Sequence, residues 1–339
     1  MTDLVQRFRQ QADSCVVYGS RLMGALLHGA ADDLQSGGVV AELMAAHEND
    51  HPGSVPALRF AGALHRLVLE GRAGTLGAHY PSVGGAEPVE DVWPAARRAC
   101  RDLLTELRPL VRRTVQTNEV GRSAALYGVL QLVGGPVRLL ELGASGGLNL
   151  RCDRFAYEVG DQVLGDAASP VRLVQPWEGA LPPYRGVEVV DRRGCDPNPV
   201  DSTTEDGRLT LTSYVWGDQV ERLDRLRGAL AVARDVPVTV EAAGALEFLE
   251  RELRPVPGVT TVVWHSVIWQ YVDPAERDAV DALLDGVDWP VVRASMEPED
   301  LGDHWAFVVR LQRLPGGDRD VVAECHGHGP PVAWRMMEG

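Results

Sequence analysis

The chain contains no lysine, and all 33 basic residues are arginine. That absence excludes several chemistries. A pyridoxal Schiff base, a lysine aldolase and a Walker A loop each need a lysine amine at the reacting or phosphate-binding point. Cysteine is scarce as well: Cys15, Cys100, Cys152, Cys195 and Cys325 are scattered, odd in number and form no C-x-x-C, which predicts a reduced compartment and no structural zinc. No uncharged apolar run reaches the roughly eighteen residues of a membrane span, and MTDLVQRFRQ lacks a signal-peptide core, so a cytoplasmic location and no membrane partner are expected. Positive charge is in deficit. A formal net charge of −15 argues against nonspecific nucleic-acid binding. The groups Arg97, Arg98, Arg101 and Arg108, Arg112, Arg113 read as solvated helix faces.

What is present is enough to bury a full core: 339 residues, 45% hydrophobic and 24% charged, fit one large or two modest domains. The most informative stretch is VRLLELGASGGLNL, Val137 to Leu150. Val137, Leu139, Leu140 and Leu142 suit a strand buried on both faces of a parallel sheet. Gly143, Ser145 and Gly147 then supply a turn without bulk, followed by a helix-compatible segment whose N-terminus offers unpaired N–H groups. Glu141, at the strand's carboxyl end, faces the same space.

Three readings of this turn stay open. A dinucleotide fingerprint wants G-x-G-x-x-G, a pattern that Gly143, Ser145 and Leu148 break. Gly143 to Gly147 also satisfies G-x-S-x-G, which makes Ser145 a candidate hydrolase nucleophile, with Asp273 or Asp303 and His304, His326 or His328 able to follow in chain order. The plain structural reading is a glycine-rich turn that packs helix on strand.

Around the turn, the first hundred or so residues read as helical. Leu4, Phe8, Cys15, Leu22 and Leu26 approximate one helix face, and a turn falls at Ser36-Gly37-Gly38. Ser54 and Pro56 predict a cap and an early proline for a helix over 57–69, and Asp91 with Pro94 does the same for 95–111. From Thr117 a helix runs to about Leu132. Apolar runs then alternate with helical stretches, with strands predicted at 187–190, 236–240, 260–265, 290–294 and 305–311. The expected organisation is an N-terminal helical cap domain, 1–115, and a doubly wound α/β domain, 116–339, with an inserted hairpin near 155–174.

Five strings, YPSVGG (Tyr80 to Gly85), QTNEVGR (Gln116 to Arg122), ELGASGGLNL (Glu141 to Leu150), GCDPNPVD (Gly194 to Asp201) and VVWHS (Val262 to Ser266), together resemble an uncharacterised bacterial family, domain of unknown function 2332, over nearly the whole chain. Acid-x-Gly-x-Ser-x-Gly from Glu141 to Gly147 resembles the first motif of class I S-adenosylmethionine-dependent methyltransferases. This resemblance implies a Rossmann-like sheet, S-adenosylmethionine as cofactor and methyl transfer to a small-molecule acceptor. It further implies that Glu141, Gly143, Ala144, Ser145, Gly147 and Asn149 form the cofactor turn. An acid after the second strand would hold the ribose hydroxyls, with Asp196 best placed and Asp191 behind it; each charged hydrogen bond contributes about 1.5–3 kcal/mol. Two departures stand out. Asp196 comes some fifty residues after the turn, and Glu241 sits early for the acid that meets the adenine amine.

Methyl transfer from a sulfonium needs alignment and, where the acceptor carries a proton, a base. His265, at the carboxyl end of its strand, is the first candidate base, against the alternative of a satisfied structural histidine. Ser266, Trp269, Tyr271 and Tyr80 are candidate acceptor contacts, although such aromatics are more often core. Asn118, Glu119 and Arg122 open the helix before the central strand and could reach over the cofactor; capping by Thr117 explains Glu119 alone. Glu119 is a second candidate for proton transfer. His326 and His328 beside Glu324 and Cys325 lack a third ligand at diagnostic spacing, so no metal is expected. A fold kept for cofactor sensing or scaffolding, without catalysis, is the remaining alternative.

Overall fold

Leu4, Phe8, Ala12 and Cys15, spaced to share one helix face, are fully buried along α1 (Thr2–Val17). The computed structural model describes residues 2–182 and 184–335. After α1 come α2 (Arg21–Gln35), α3 (Val39–Met44), α4 (Pro56–Leu69), α5 (Val92–Asp102), α6 (Leu104–Leu110), α7 (Ser123–Val133), α8 (Glu205–Ser213), α9 (Val220–Asp235), α10 (Ala245–Glu252) and α11 (Pro274–Asp285). The strands are β1 (Gly135–Leu142), β2 (Ala156–Val159), β3 (Gln162–Gly165), β4 (Arg172–Val174), β5 (Trp177–Gly179), β6 (Val187–Asp196), β7 (Thr239–Ala242), β8 (Thr260–Ser266), β9 (Val291–Asp300), β10 (Trp305–Leu314), β11 (Arg319–His326) and β12 (Gly329–Trp334).

The chain divides into two units. The first runs to Thr117 and takes in Glu205–Leu223, so it is discontinuous in sequence. Its core is helical: Phe8 and Phe60 meet at 5.7 Å between ring centroids, with Leu22, Leu26 and Leu64 buried alongside. The returning segment is bound through polar links. Arg66 donates to Thr210 Oγ1 at 2.9 Å and to Asp206 at 2.5 Å, His65 meets the Ser213 carbonyl at 3.1 Å, and Ser20 donates to Asp218 at 2.6 Å. Two local expectations are corrected. The residue before α4 is Val55, in a left-handed conformation at φ 42°, in place of a Ser54 cap, and the helix expected over 95–111 is two helices that part at Leu103, where φ is −117°.

The second unit, Asn118–Thr204 with the chain from Asp224 on, is mixed α/β around a large, mostly parallel sheet. Its strand order is β5-β12-β11-β10-β9-β8-β1-β6-β7. β7, β6, β1, β8 and β9 are mutually parallel, while β10, β11 and β12 follow as antiparallel neighbours. Leu140, Leu142 and Val263 turn one face of the sheet onto Phe248 and Leu249 of α10 and Val280 and Leu284 of α11. Residues 156–174 hold the hairpin β2–β3 together with β4, which pairs parallel to β2 in a separate small sheet. Stacked rings anchor that region: Tyr127 lies 4.3 Å from Tyr157 and 6.2 Å from Trp177, whose indole donates to the Ala124 carbonyl. No helix among the described residues is long and apolar enough to cross a membrane.

The largest departure follows β1. In place of a helix, the turn leads into a six-residue 3-10 segment, Asn149–Arg154, with Arg151 outside helical φ/ψ. Arg151 is 2% exposed and donates to the carbonyls of Gly147 and Val236 at 2.8 and 2.7 Å. Tying its guanidinium to both carbonyls holds the segment out of α geometry.

Candidate functional site

Counted along the chain, the five parallel strands stand in the order 3-2-1-4-5, which reverses between β1 and β8. Where strand order reverses, successive connections leave in opposite directions and open a crevice beyond the carboxyl ends. The Gly143 turn leaves β1 at this point. Gly143 has φ 69°, and a Cβ there would lie 2.5 Å from Ile268 Cγ2, so glycine is required on both counts. Ser145 takes φ 53°, unusual for a residue with a side chain. The turn is held from two sides. Its Ser145 amide donates to Asp196 Oδ2 at 3.0 Å, and its Leu148 amide to Asn118 Oδ1 at 2.9 Å. Asp196 Oδ1 also accepts from the Asn198 amide at 2.8 Å, and Asn149 Nδ2 donates to the Glu119 carbonyl at 3.1 Å. The Ala144 and Gly147 amides bond within the chain too, to the carbonyls of Cys195 and Ala144.

Glu141 lies beside this turn at 2% exposure, and its Oε2 has no hydrogen-bond partner. Burial raises its carboxyl from 4.5 to about 8; Arg122 and Arg151 oppose the rise, and Asp196 adds to it. The group is therefore mostly a neutral acid at pH 7. Arg122 donates through Nε to the Gly327 carbonyl at 3.0 Å and through Nη1 to the Ser266 carbonyl at 3.2 Å, joining the ends of α7, β8 and β11. The Glu119 carboxylate accepts from the Gly121 amide at 3.0 Å, and a Cβ on Gly121 would meet the His328 carbonyl at 2.2 Å. Asn118, Glu119, Arg122, Glu141, Ser145, Asn149, Asp196 and Ser266 thus gather at one edge of the sheet.

His265 points the other way. It pairs in register with Leu142 and shares the face of Leu140 and Val263, whereas Glu141, one residue along β1, faces the opposite side. His265 is 2% exposed; its Nδ1 meets Glu297 Oε1 at 2.8 Å, and its ring stacks on Trp269 at 4.0 Å. A carboxylate only accepts, so Nδ1 carries the proton and Nε2, which has no partner, carries the lone pair. Burial lowers the histidine's pKa against the opposing pull of Glu297. Glu297 also accepts from the amides of Ile268 and Trp269, fixing the loop after β8, where Val267 takes φ 55°. Sequence reasoning missed Glu297 and the loop; a β-branched residue at positive φ leaves no trace in local pattern.

The remaining candidates are dispersed. Tyr271 is 49% exposed after β8. Tyr80 belongs to the first unit, fully buried, with its ring 5.3 Å from that of His65. Asp191 lies within β6 and accepts from Arg138 at 2.9 Å, and Glu241 is ion-paired with Arg251 and Arg193. The five cysteines are free, and no cluster of three metal-ligating side chains occurs among the described residues. A cavity of about 10 Å³ beside His65 and Tyr214 has room for one water at most.

Residues 5–334 match a family described as an uncharacterized protein conserved in bacteria, DUF2332. The chain is a DUF2332 protein. The match takes in both units and each of the five strings, so every residue gathered at the β1 edge belongs to the family domain. No curated protein and no solved structure matches this DUF2332 chain.

Proposed function

We propose that this DUF2332 protein binds S-adenosylmethionine at the carboxyl edge of β1 and β6 and transfers its methyl group to a small-molecule acceptor. One observation carries the reading: Glu141 Oε2 and Asn149 Oδ1 are buried beside the glycine turn with no hydrogen-bond partner, and a bound cation would hold Glu141 as the carboxylate, leaving both atoms as acceptors. Orphaned buried acceptors are costly, and an ammonium such as that of the cofactor's amino-acid part offers N–H donors to both. The 3-2-1-4-5 order supports the Rossmann-like resemblance, while the missing helix after the turn departs from it. Glu141, Asn149, Asn118 and Arg122 would hold the amino-acid part against Gly143, Ala144, Ser145 and Gly147. Asp196 would reach the ribose with the lone pairs its turn contacts leave over. When bound, the sulfonium supplies an activated methyl group. The chain aligns the acceptor, with Ser266, Trp269 and Tyr271 as candidate contacts, and removes its proton; Tyr80, buried in the first unit beside His65, is not among them. The Glu119 carboxylate, gathered with Glu141 at the β1 edge, is the candidate base; His265, buried on the opposite face against Glu297 and Trp269, is not positioned for that role.

Calorimetric titration with S-adenosylmethionine and S-adenosylhomocysteine tests the reading. Saturable binding is expected for wild type and its loss for Glu141→Ala and Asp196→Ala; a wild type that binds neither ligand sinks the proposal. Ser145 at φ 53° favours one competing reading, the strained elbow of a serine hydrolase, although an elbow turns into an α-helix and this one enters a 3-10 segment. Fluorophosphonate labelling that disappears in Ser145→Ala would put that reading first.

A further inference from the structure

The string Tyr80 to Gly85 belongs to the first unit, where it pairs a serine with a buried histidine. His65 of α4 is 3% exposed; its Nδ1 meets the Ser213 carbonyl at 3.1 Å and its Nε2 meets Ser82 Oγ at 2.8 Å. A carbonyl only accepts, so Nδ1 carries the proton, Nε2 carries the lone pair, and the Ser82 hydroxyl donates to it. Burial lowers the His65 pKa from 6.5 to about 4, against the pull of the Ser213 and Val215 carbonyls, so the ring is a neutral base at pH 7. A hydroxyl that donates to a neutral imidazole, whose far nitrogen is held by an acceptor, is the arrangement that activates a nucleophile. Here a carbonyl stands where a carboxylate often does.

Both members of the pair are held in place. Ser82 is half-buried on the 3-10 turn Pro81–Val83, and its amide donates to the Gly217 carbonyl at 2.8 Å. The Tyr80 ring packs on His65, and a Cβ on Gly217 would lie 2.4 Å from that ring. A groove of about 280 Å³ is lined by Val83, the residue after Ser82, by Val68 and Leu69, one helical turn beyond His65 on the same face of α4, and by Ala73. Its remaining walls are glycine, so the surface it offers is apolar.

We propose that Ser82 is a nucleophile that takes an acyl group from an activated ester or thioester, with His65 as its base and the groove as the seat of an apolar acyl chain. A bond forms from Ser82 Oγ to the acyl carbon as the bond from that carbon to the leaving oxygen or sulfur breaks; the hydroxyl proton passes to His65 Nε2 and on to the leaving group. Water then adds to the acyl carbon, its proton goes to His65 and from there to Ser82 Oγ, and the free acid departs. The amides of Ser82, Val83, Gly84 and Gly85 are committed to the carbonyls of Gly217, Tyr80 and Pro81, so they do not stabilise an oxyanion. One such donor is worth about 10²–10³ in rate, which restricts the site to donors with good leaving groups and leaves the acyl serine long-lived. The proposal goes beyond methyl transfer and does not depend on it.

The test is acylation of the full chain by p-nitrophenyl butyrate, read by release of p-nitrophenolate and by peptide mass mapping of the adduct. The absence of lysine keeps the background low. A burst of one p-nitrophenolate per chain is expected, followed by slower turnover, with one butyryl group on Ser82. Ser82→Ala should abolish the burst, and His65→Gln should slow it by about 100-fold. The acetate ester, too short to fill the groove, should acylate more slowly by about tenfold; equal rates overturn the assignment of the acyl chain to the groove. Absence of a burst, or a wild-type burst in folded Ser82→Ala or His65→Gln protein, overturns the proposal. Should the variants not fold, the map of the wild-type adduct decides: an adduct on any residue other than Ser82, Ser145 included, overturns it.

Discussion

A carboxyl group that stays protonated at neutral pH governs the chemistry around Glu141. Its folded pKa is raised to about 8, so between about pH 4.5 and about 8 the native state holds a proton that the unfolded chain has released. Stability from this group is complete below the lower value and falls as pH rises to the upper one, by up to about 1.4 kcal/mol per pH unit. Glu141→Gln removes the titration. Its stability relative to wild type should increase from about pH 5 to about pH 8, read by urea melts at each pH; parallel profiles would show that Glu141 ionises as freely in the native state. Gly143 gives a second residue-scale prediction. Gly143→Ala places a methyl against Ile268 at positive φ and should cost about 1–3 kcal/mol, part of which Ile268→Ala in the same chain restores. Strictly additive losses would show that the two side chains do not collide. Glu141 and the glycines were legible because acid, strand end and small residues are adjacent in sequence. Glu297 was not: it meets His265 only through pairing of β8 with β9, which local spacing does not encode.

Elements are tied together by a buried charge network as well as by apolar packing. Arg138 of β1, 2% exposed, is bound to Glu252 at the end of α10 and to Asp191 of β6. Removing Glu252 leaves a buried guanidinium short of counter-charge, so Glu252→Ala should cost about 3–5 kcal/mol in denaturant unfolding. A loss below about 1 kcal/mol would mean that Asp191 alone satisfies Arg138. The strands of the parallel half were readable as apolar runs bounded by turn residues, and the observed β1, β6, β7, β8, β9 and β10 overlap the segments proposed for them. The segment after β1 was not readable, since its departure from a helix is imposed by carbonyls of Gly147 and Val236 that a buried arginine reaches. β11 and β12 escaped notice because their short hairpin turn, Gly327 and His328 with proline just beyond, resembles an irregular loop.

For the whole molecule, the decisive property is that the first unit is not continuous in sequence. Tyr214 packs against Gly62, where a Cβ would lie 2.6 Å from the ring, and Ser213, Asp206 and Asp218 supply partners to His65, Arg66 and Ser20. A fragment that stops at Thr117 lacks all of them. It should give a helical far-ultraviolet spectrum without the cooperative thermal transition of the full chain; a sharp transition would show that residues 205–223 are dispensable. Nothing in the local pattern of that segment says which helices it joins, because partnership at a separation of more than a hundred residues resides in tertiary contacts. The same discontinuity bears on synthesis. At about 5–20 residues per second, the roughly 100 residues between Thr117 and Leu223 keep the ribosome occupied for about 5–20 s. β1 and β6 are released in that interval, before the earlier helices have met their last partner. Throughout it the nascent helices expose the apolar surface that Tyr214 will cover, so slowed translation or lost chaperone capacity should reduce yield at this stage before it affects the finished protein.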